Sequence, residues 1–327
     1  MKANKIIAGI ALVGAIAFTA TGCAGAGGGG NAGGGSGDKI TVGFAQTGSE
    51  SGWRSANTES MKEAFSEANG FNLVFNAADN KPEAQIAAVR SFINQGVDAI
   101  VLAPIVSDGW DDVLKEAKDA NIPVILEDRT VSASDDLYAS WIGLDFKQEG
   151  ETAGKWVADN FGKTPTNLVV LEGTTGSSAA TDRATGFNDA IKGTDIKVLD
   201  SQTGNFTRAD GKTVMEGFLQ KYGSQINLLF AHNDDMGLGA LEAIKAAGLK
   251  PGTDIKIVTI DAVKDGMTAL SNGEFNYIVE CNPLLGEKTA EVVKKVVAGE
   301  SVDKSYIVED QAFDQEQAKK VLDSRPY

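Results

Sequence analysis

From Lys39 onward, short apolar runs rich in β-branched and aromatic residues alternate with amphipathic stretches of ten or more residues. The runs in the first half are ITVGFA (40–45), NLVFNA (72–77), AIVLAP (99–104), PVILED (123–128) and YASWIG (138–143). Those in the second are NLVVLEG (167–173), KVLDSQ (197–202), NLLFAH (227–232), KIVTID (256–261), NYIVE (276–280) and a late SYIVED (305–310). Runs this continuously apolar predict parallel strands covered on both faces. Between them PEAQIAAVRSFINQG, DDVLKEAKDAN and LGALEAIKAAGLKPG carry helical spacing, the last closing on a Gly-Leu-Lys-Pro-Gly stop. The fold class expected is α/β. Two such series of about 100 residues each predict two doubly wound parallel-sheet lobes, with an eight-stranded barrel as the alternative.

Both architectures place functional groups at the carboxyl ends of the strands. Those ends carry Glu50, Trp53 and Arg54 after the first run, Asp128 and Arg129 after PVILE, and Glu172 before GTTGSS. In the second half they carry His232, Asn233 and Asp234, then Asp261, then Glu280. Asp, Asn and Ser at such places commonly cap the next helix, accepting hydrogen bonds from its first-turn amides. Arg54, Arg129 and Trp53 do not fit that role, because a cation is unfavourable at the positive end of a helix dipole. Carboxylates accept from hydroxyls, guanidinium forks donate to neighbouring oxygens, and an indole face accepts the C–H side of a ring. A neutral polyhydroxylated ligand uses all three. Four acids (Glu50, Asp128, Asp261, Glu280) stand against Arg54, Arg129 and Arg183, with Arg208 as a candidate fourth, so the set holds no surplus positive charge for a phosphorylated or acidic ligand.

The N-terminal segment follows a different pattern. Lys2 and Lys5, an apolar stretch from Ile6 to Ala17, and the small residues Ala20, Thr21 and Gly22 form the three parts of a secretory signal at 1–22. The apolar stretch is shorter than the roughly 20 residues that span a bilayer. Cys23, directly after, resembles the lipidated cysteine of a bacterial lipobox. Residues 24–37, nine of fourteen glycine, read as a flexible tether with a reach of roughly 20 Å. With Cys23 lipidated, Cys281 has no partner and is expected to be a small buried apolar residue.

The full 327-residue chain has formal charge −15. Without residues 1–22 it has 28 basic against 45 acidic residues, or −17, which opposes nucleic acid and anionic lipid alike. Catalytic readings find little support. His232 is the sole histidine, no G-x-S-x-G elbow lies at a strand end, and His and Cys are too few for a zinc site. Gly25, Gly27 and Gly30 have dinucleotide-loop spacing without the flanking strand and helix, and Gly211-Lys212-Thr213 lacks the earlier P-loop glycine because Phe206 stands there. Neither a cofactor nor a metal is expected. The sequon Asn205-Phe206-Thr207 reads as coincidence beside a bacterial lipobox.

The segments VGFAQTGSESGWR, QGVDAIVLAP, NIPVILEDR, FTRADGKTVME, AHNDDMGLGA and IVTIDA carry a resemblance that covers essentially the whole chain from Lys39. It is similar to the type I periplasmic sugar-binding proteins of ABC importers, a ribose-binding-like family, and most to the galactofuranose- and fructose-type branch. The resemblance implies two similar lobes joined by a three-segment hinge, with a monosaccharide held between them. It places one lobe at 38–144 plus 282–308 and the other at 145–281 plus 309–327. The implied ligand contacts are Glu50, Trp53, Arg54, Asp128, Arg129, Arg183, Phe206, Asn233 and Asp261. A final contact falls to Glu280 or Asn282, where family members often carry a glutamine. Ribose-type members often have two adjacent aromatics where this chain has Trp53-Arg54, a departure that favours fructose or a furanose such as galactofuranose.

The function expected is therefore a lipid-anchored, monomeric receptor on the outer face of a cytoplasmic membrane, handing its sugar to an ABC permease with its ATPase. The glycine tether suggests an organism without an outer membrane to confine the protein. A sugar sensor for a chemoreceptor or histidine kinase is the alternative. A repressor of related fold would need a DNA-binding helix pair, and an exported glycosidase would need turnover.

Overall fold

The computed structural model describes residues 39–327. The signal at 1–22, Cys23 and the tether lie outside the described residues. From the first strand the chain builds β1 (Ile40–Gln46), β2 (Phe71–Ala77), β3 (Ala99–Leu102), β4 (Val124–Asp128) and β5 (Ser140–Gly143), with α1 (Gly52–Ala64), α2 (Pro82–Gln95) and α3 (Asp111–Asp119) between them. It then builds β6 (Thr166–Glu172), β7 (Ile196–Thr203), β8 (Leu228–Ala231), β9 (Lys256–Asp261) and β10 (Tyr277–Glu280). The helices of that series are α4 (Phe146–Phe161), α5 (Ser178–Ala190), α6 (Arg208–Tyr222), α7 (Asp234–Ala246) and α8 (Lys264–Ser271). Last come α9 (Gly286–Val297), β11 (Ser305–Ile307), β12 (Ala312–Phe313) and α10 (Gln315–Val321).

The strands form two open six-stranded sheets, ordered β2-β1-β3-β4-β5-β11 and β7-β6-β8-β9-β10-β12. The barrel alternative is thereby set aside. Every pairing is parallel except β10 with β12, where Ile278 faces Phe313 and Val279 faces Ala312. In each sheet the strand order reverses beside the first strand, between β1 and β3 and between β6 and β8. That reversal opens a crevice at the carboxyl ends. Side-chain alternation explains why both faces of the first sheet are dry: Ile100, Leu102 and Leu126 pack under Phe92 and Leu114, while Val42, Phe44, Val101 and Ile125 pack with Met61 and Phe65.

The chain passes between sheets three times, at 144–145, 281–285 and 308–311. Helix α4 accordingly packs on α5, β9 and β10, and α9 on α1, β4 and β5. The full burial expected of every strand does not extend to the edges: β2 and β7 are partly exposed, since an outer strand lacks a neighbour. Of SYIVED only Ser305–Ile307 form the strand; the Val308 amide still donates to the Gly143 carbonyl at 2.9 Å before the chain enters the third passage. Two-residue β12 is too short to carry a period.

Helices α4 and α5 approach closely enough that a Cβ at Gly150 would collide with the Arg183 carbonyl, and one at Gly186 with the Lys147 carbonyl. Such packing needs glycine, and it lays Arg183 alongside Glu149.

Candidate functional site

The loop after β1 leads into α1 through Ser51, whose hydroxyl accepts from the Arg54 amide at 3.1 Å. Ser51, not Glu50, is the cap. Glu50 instead receives Arg54 Nε at 3.1 Å, one helical turn on, and the Thr47 hydroxyl at 3.2 Å. Arg54 also donates Nη2 to Asp128 Oδ2 at 2.6 Å and Nη1 to Asn57 at 3.4 Å. Its guanidinium lies 4.7 Å from the centre of the Trp53 ring, and Trp53 donates Nε1 to the Cys281 carbonyl at 2.6 Å. One face of the indole is thus occupied by the neighbouring arginine, and its edge is fastened to the second interlobe passage.

At the end of β4, Asp128 has φ +61° while buried, a left-handed conformation that costs a non-glycine residue energy and recurs at functional sites. The Trp141 indole holds its carbonyl at 3.1 Å. Arg129 follows, donating Nη1 to the Ile105 carbonyl at 3.3 Å, with Nη2 3.9 Å from Glu50 and Nε without a hydrogen-bond partner.

In the second lobe Arg183 on α5 donates Nε to Glu149 at 2.7 Å and Nη1 to the His232 carbonyl at 2.7 Å, leaving Nη2 3.8 Å from Asp261. Asp261, at φ +130° on the last residue of β9, keeps Oδ2 without a partner. Phe206, at φ +63°, wedges its ring against Gly173, and a Cβ there would overlap it. Arg129 lies 5.0 Å from that ring across the cleft and Arg183 5.9 Å. Asn233 caps α7, accepting from the Met236 amide at 2.9 Å and donating to the Phe206 carbonyl at 3.1 Å.

Glu50, Ser51, Trp53, Arg54 and Arg129 thus face Ala179, Arg183, Phe206, Asn233 and Asp261 around one cavity of about 20 Å³, room for about one water. Asp128 stands directly behind it, holding Arg54. Three further hydrogen bonds link the lobes around the rim: the Gly52 amide to Asp235 at 2.7 Å, the Ser107 amide to the Gly176 carbonyl at 2.8 Å, and the Thr130 amide to the Ser178 hydroxyl at 3.0 Å. A ligand larger than water enters this space only when the lobes part.

The electrostatics are unevenly settled. Burial alone would raise the Glu50 carboxyl, yet Arg54 and Arg129 more than offset it and hold it below the usual range. Burial and the neighbouring Arg54 lower Arg129, and burial raises Asp261 well above the carboxylate range despite Arg183. Among the residues lining the cavity, Arg129 and Asp261 each keep an atom without a hydrogen-bond partner, one in each lobe. Hydroxyls that accept from one and donate to the other complete both. Burial and Arg183 push His232 down to about 3, so it stays neutral with Nε2 unpartnered among buried groups.

Glu127, behind Arg54, is raised to about 8 by burial first and by Asp128 next, while Asn57 donates to it at 2.6 Å. A folded-state value above the unfolded one means stability is full below about 4.5 and declines as pH rises to about 8. Glu127→Gln removes that proton uptake. Its melting temperature should exceed the parent's at pH 8 by more than at pH 5, and parallel profiles across the two pH values would refute this account.

Two expected members do not reach the cleft. Glu280 is turned away: Arg325 Nη1 at 2.5 Å and the Tyr327 hydroxyl at 2.7 Å occupy Oε1, and the Gln311 amide occupies Oε2 at 3.1 Å. Asn282 is no substitute, since its side chain accepts from the Leu284 amide and its own amide binds Asp310. Arg208 likewise lies outside, pairing with Asp235 and Asp265. Cys281 is a buried free cysteine, as read from the sequence. Residues the sequence reading passed over include Ala179, which has no polar signal, and Glu149, which reads as an ordinary first-turn acid of α4 until the fold brings Arg183 to it.

Residues 42–301 match the family described as periplasmic binding protein domain. The galactofuranose-binding protein YtfQ of Escherichia coli is 47% identical over 78% of this chain and 81% of its own length. The fructose import binding protein FruE of Bifidobacterium longum is 40% identical over 88% of each chain. A crystal structure from Mycobacterium smegmatis in complex with β-D-fucofuranose superposes with a TM-score of 0.85 at 57% identity, covering 88% of this chain and 95% of that one.

Proposed function

The chain belongs to the periplasmic binding protein domain family, and from that premise we propose that it is the substrate-binding protein of an ABC sugar importer, closing its two lobes on a monosaccharide in furanose form. The observation that carries this reading is the convergence of Arg129 and Asp261, one from each lobe and each with a polar atom lacking a hydrogen-bond partner, on a single cavity. A sugar bridging them binds the closed form better than the open one, which is the energetic requirement for ligand-driven closure. Glu50, Arg54, Arg129, Arg183 and Asp261 serve as hydroxyl partners, with Asp128 fixing Arg54, and Trp53, Phe206 and Asn233 shape the walls. Pairing of the acids with guanidinium groups supports binding without turnover.

The lobes are taken as 38–144 with 282–308 and 145–281 with 309–327, divided where the chain passes between sheets. Lipidation at Cys23 and the glycine tether would hold the monomeric receptor at the outer membrane face beside its permease and ATPase. Thermal-shift measurements with D-fructose, D-galactose, L-arabinose, D-fucose and D-ribose test the proposal. At a hundred times its dissociation constant, a native-state ligand adds about 2.7 kcal/mol. At least one furanose-forming sugar should therefore raise the melting temperature by about 5 °C or more, with ribose weaker. No shift with any of the five overturns the assignment.

A further inference from the structure

The segment Arg325–Tyr327 does more than cover the second sheet. The Arg325 side chain is only 8% exposed, with its guanidinium 5.3 and 4.4 Å from the rings of Phe313 and Tyr327. From there it makes two hydrogen bonds: Nη1 to Glu280 Oε1 at 2.5 Å and Nη2 to the Ala262 carbonyl at 2.8 Å. Ala262 is the residue after Asp261, and Glu280 is the register partner of Asp261 across the β9–β10 ladder. One side chain therefore grips both strand ends at the point where β9 delivers its carboxylate to the cleft.

Asp261 and Ala262 adopt φ of +130° and +62° in succession, conformations that persist only where the surroundings over-determine them. The Cys281 amide holds the Asp261 carbonyl at 3.2 Å, Asp234 holds the Val263 amide at 2.9 Å, and Arg325 holds the carbonyl between them. Glu280 in turn ties Arg325 to the third interlobe passage through the Gln311 amide, which it accepts at 3.1 Å. We infer that Arg325 is a positioning residue for sugar binding: by clamping the Ala262 carbonyl against Glu280 it keeps the strained Asp261 turn, and so the Asp261 carboxylate, aimed into the cleft. Released from the clamp, the turn relaxes toward ordinary φ and the carboxylate swings away. This inference rests on the reading of Asp261 as a sugar contact.

The test is a double-mutant cycle read by calorimetry with D-fructose, D-galactose, L-arabinose and D-fucose. Arg325→Met should weaken the panel sugar that binds the parent by about tenfold, and Arg325→Lys should recover part of the loss. In an Asp261→Asn background Arg325→Met should cost less than about threefold, because the group it positions is already altered. Should Arg325→Met fold poorly with Glu280 left unpaired, Arg325→Met with Glu280→Gln removes that charge and should show the same weakening. Unchanged affinity, or an equal loss in both backgrounds, overturns the inference, since a purely structural clamp would act independently of Asp261. A parent that binds none of the four sugars defeats the functional assignment and the inference together; a binding parent with indifferent variants defeats the inference alone.

Discussion

Arg183→Met should lower stability by about 3–5 kcal/mol and weaken sugar binding by about a hundredfold or more, because it leaves buried charges without their partner. Glu149 and Asp261 both face this guanidinium, and the His232 carbonyl loses its donor as well. Burial already raises both carboxyls, and without Arg183 they have only protonation to fall back on. A domain of this size loses about 2–4 °C of melting temperature per kcal/mol, so the stability effect is visible in a simple melt. The two effects separate in the pair Arg183→Met with Glu149→Gln. Removing the second buried charge should restore most of the stability and none of the affinity. A double variant that binds sugar as well as the parent would show that Arg183 only balances Glu149.

Arg54→Phe should cost about 3–5 kcal/mol by the same logic, and its signature lies in pH. Asp128 and Glu127 are buried around Arg54 and the Glu50 side chain is 3% exposed beside it, and only Arg129 would remain to face them. In the parent, Arg54 and Arg129 hold Glu50 below its ordinary value, so that group contributes stability above its unfolded value, lost as pH falls. Without Arg54, burial raises Glu50 above its unfolded value and lifts Glu127 further, so stability is lost as pH rises. The variant should therefore sit nearer the parent at pH 5 than at pH 8 in urea midpoints. An equal deficit at both would mean the acids do not depend on Arg54. Sugar affinity should fall with it, because Arg54 fixes the first-lobe hydroxyl partners.

Much of this site was legible because strand ends advertise it. GSESGWR, EDR and AHND each follow an apolar run, and parallel-strand topology sends such loops to one edge. The resemblance supplied Phe206 and gave Arg183, until then only a member of the charge balance, its place as a contact; no periodicity picks out either. Pairings decided by distance in space alone stayed hidden. Glu280 is a strand-end acid like Asp261, and only the fold shows that Arg325, 45 residues later, turns it away from the cleft. Glu149 is invisible for the same reason, since the contact with Arg183 needs glycines at 150 and 186 to let two helices touch. The left-handed turns at Asp128, Phe206 and Asp261 were also unreadable, because none of these residue types signals positive φ as glycine does.

The three hydrogen bonds around the cleft rim use main-chain atoms for four of their six partners: the amides of Gly52, Ser107 and Thr130 and the carbonyl of Gly176. Main-chain atoms survive any substitution that preserves the fold. Mutations can therefore retool the pocket walls for another sugar without renegotiating how the two halves meet, and a lineage of such proteins can diversify its diet while inheriting one closing motion.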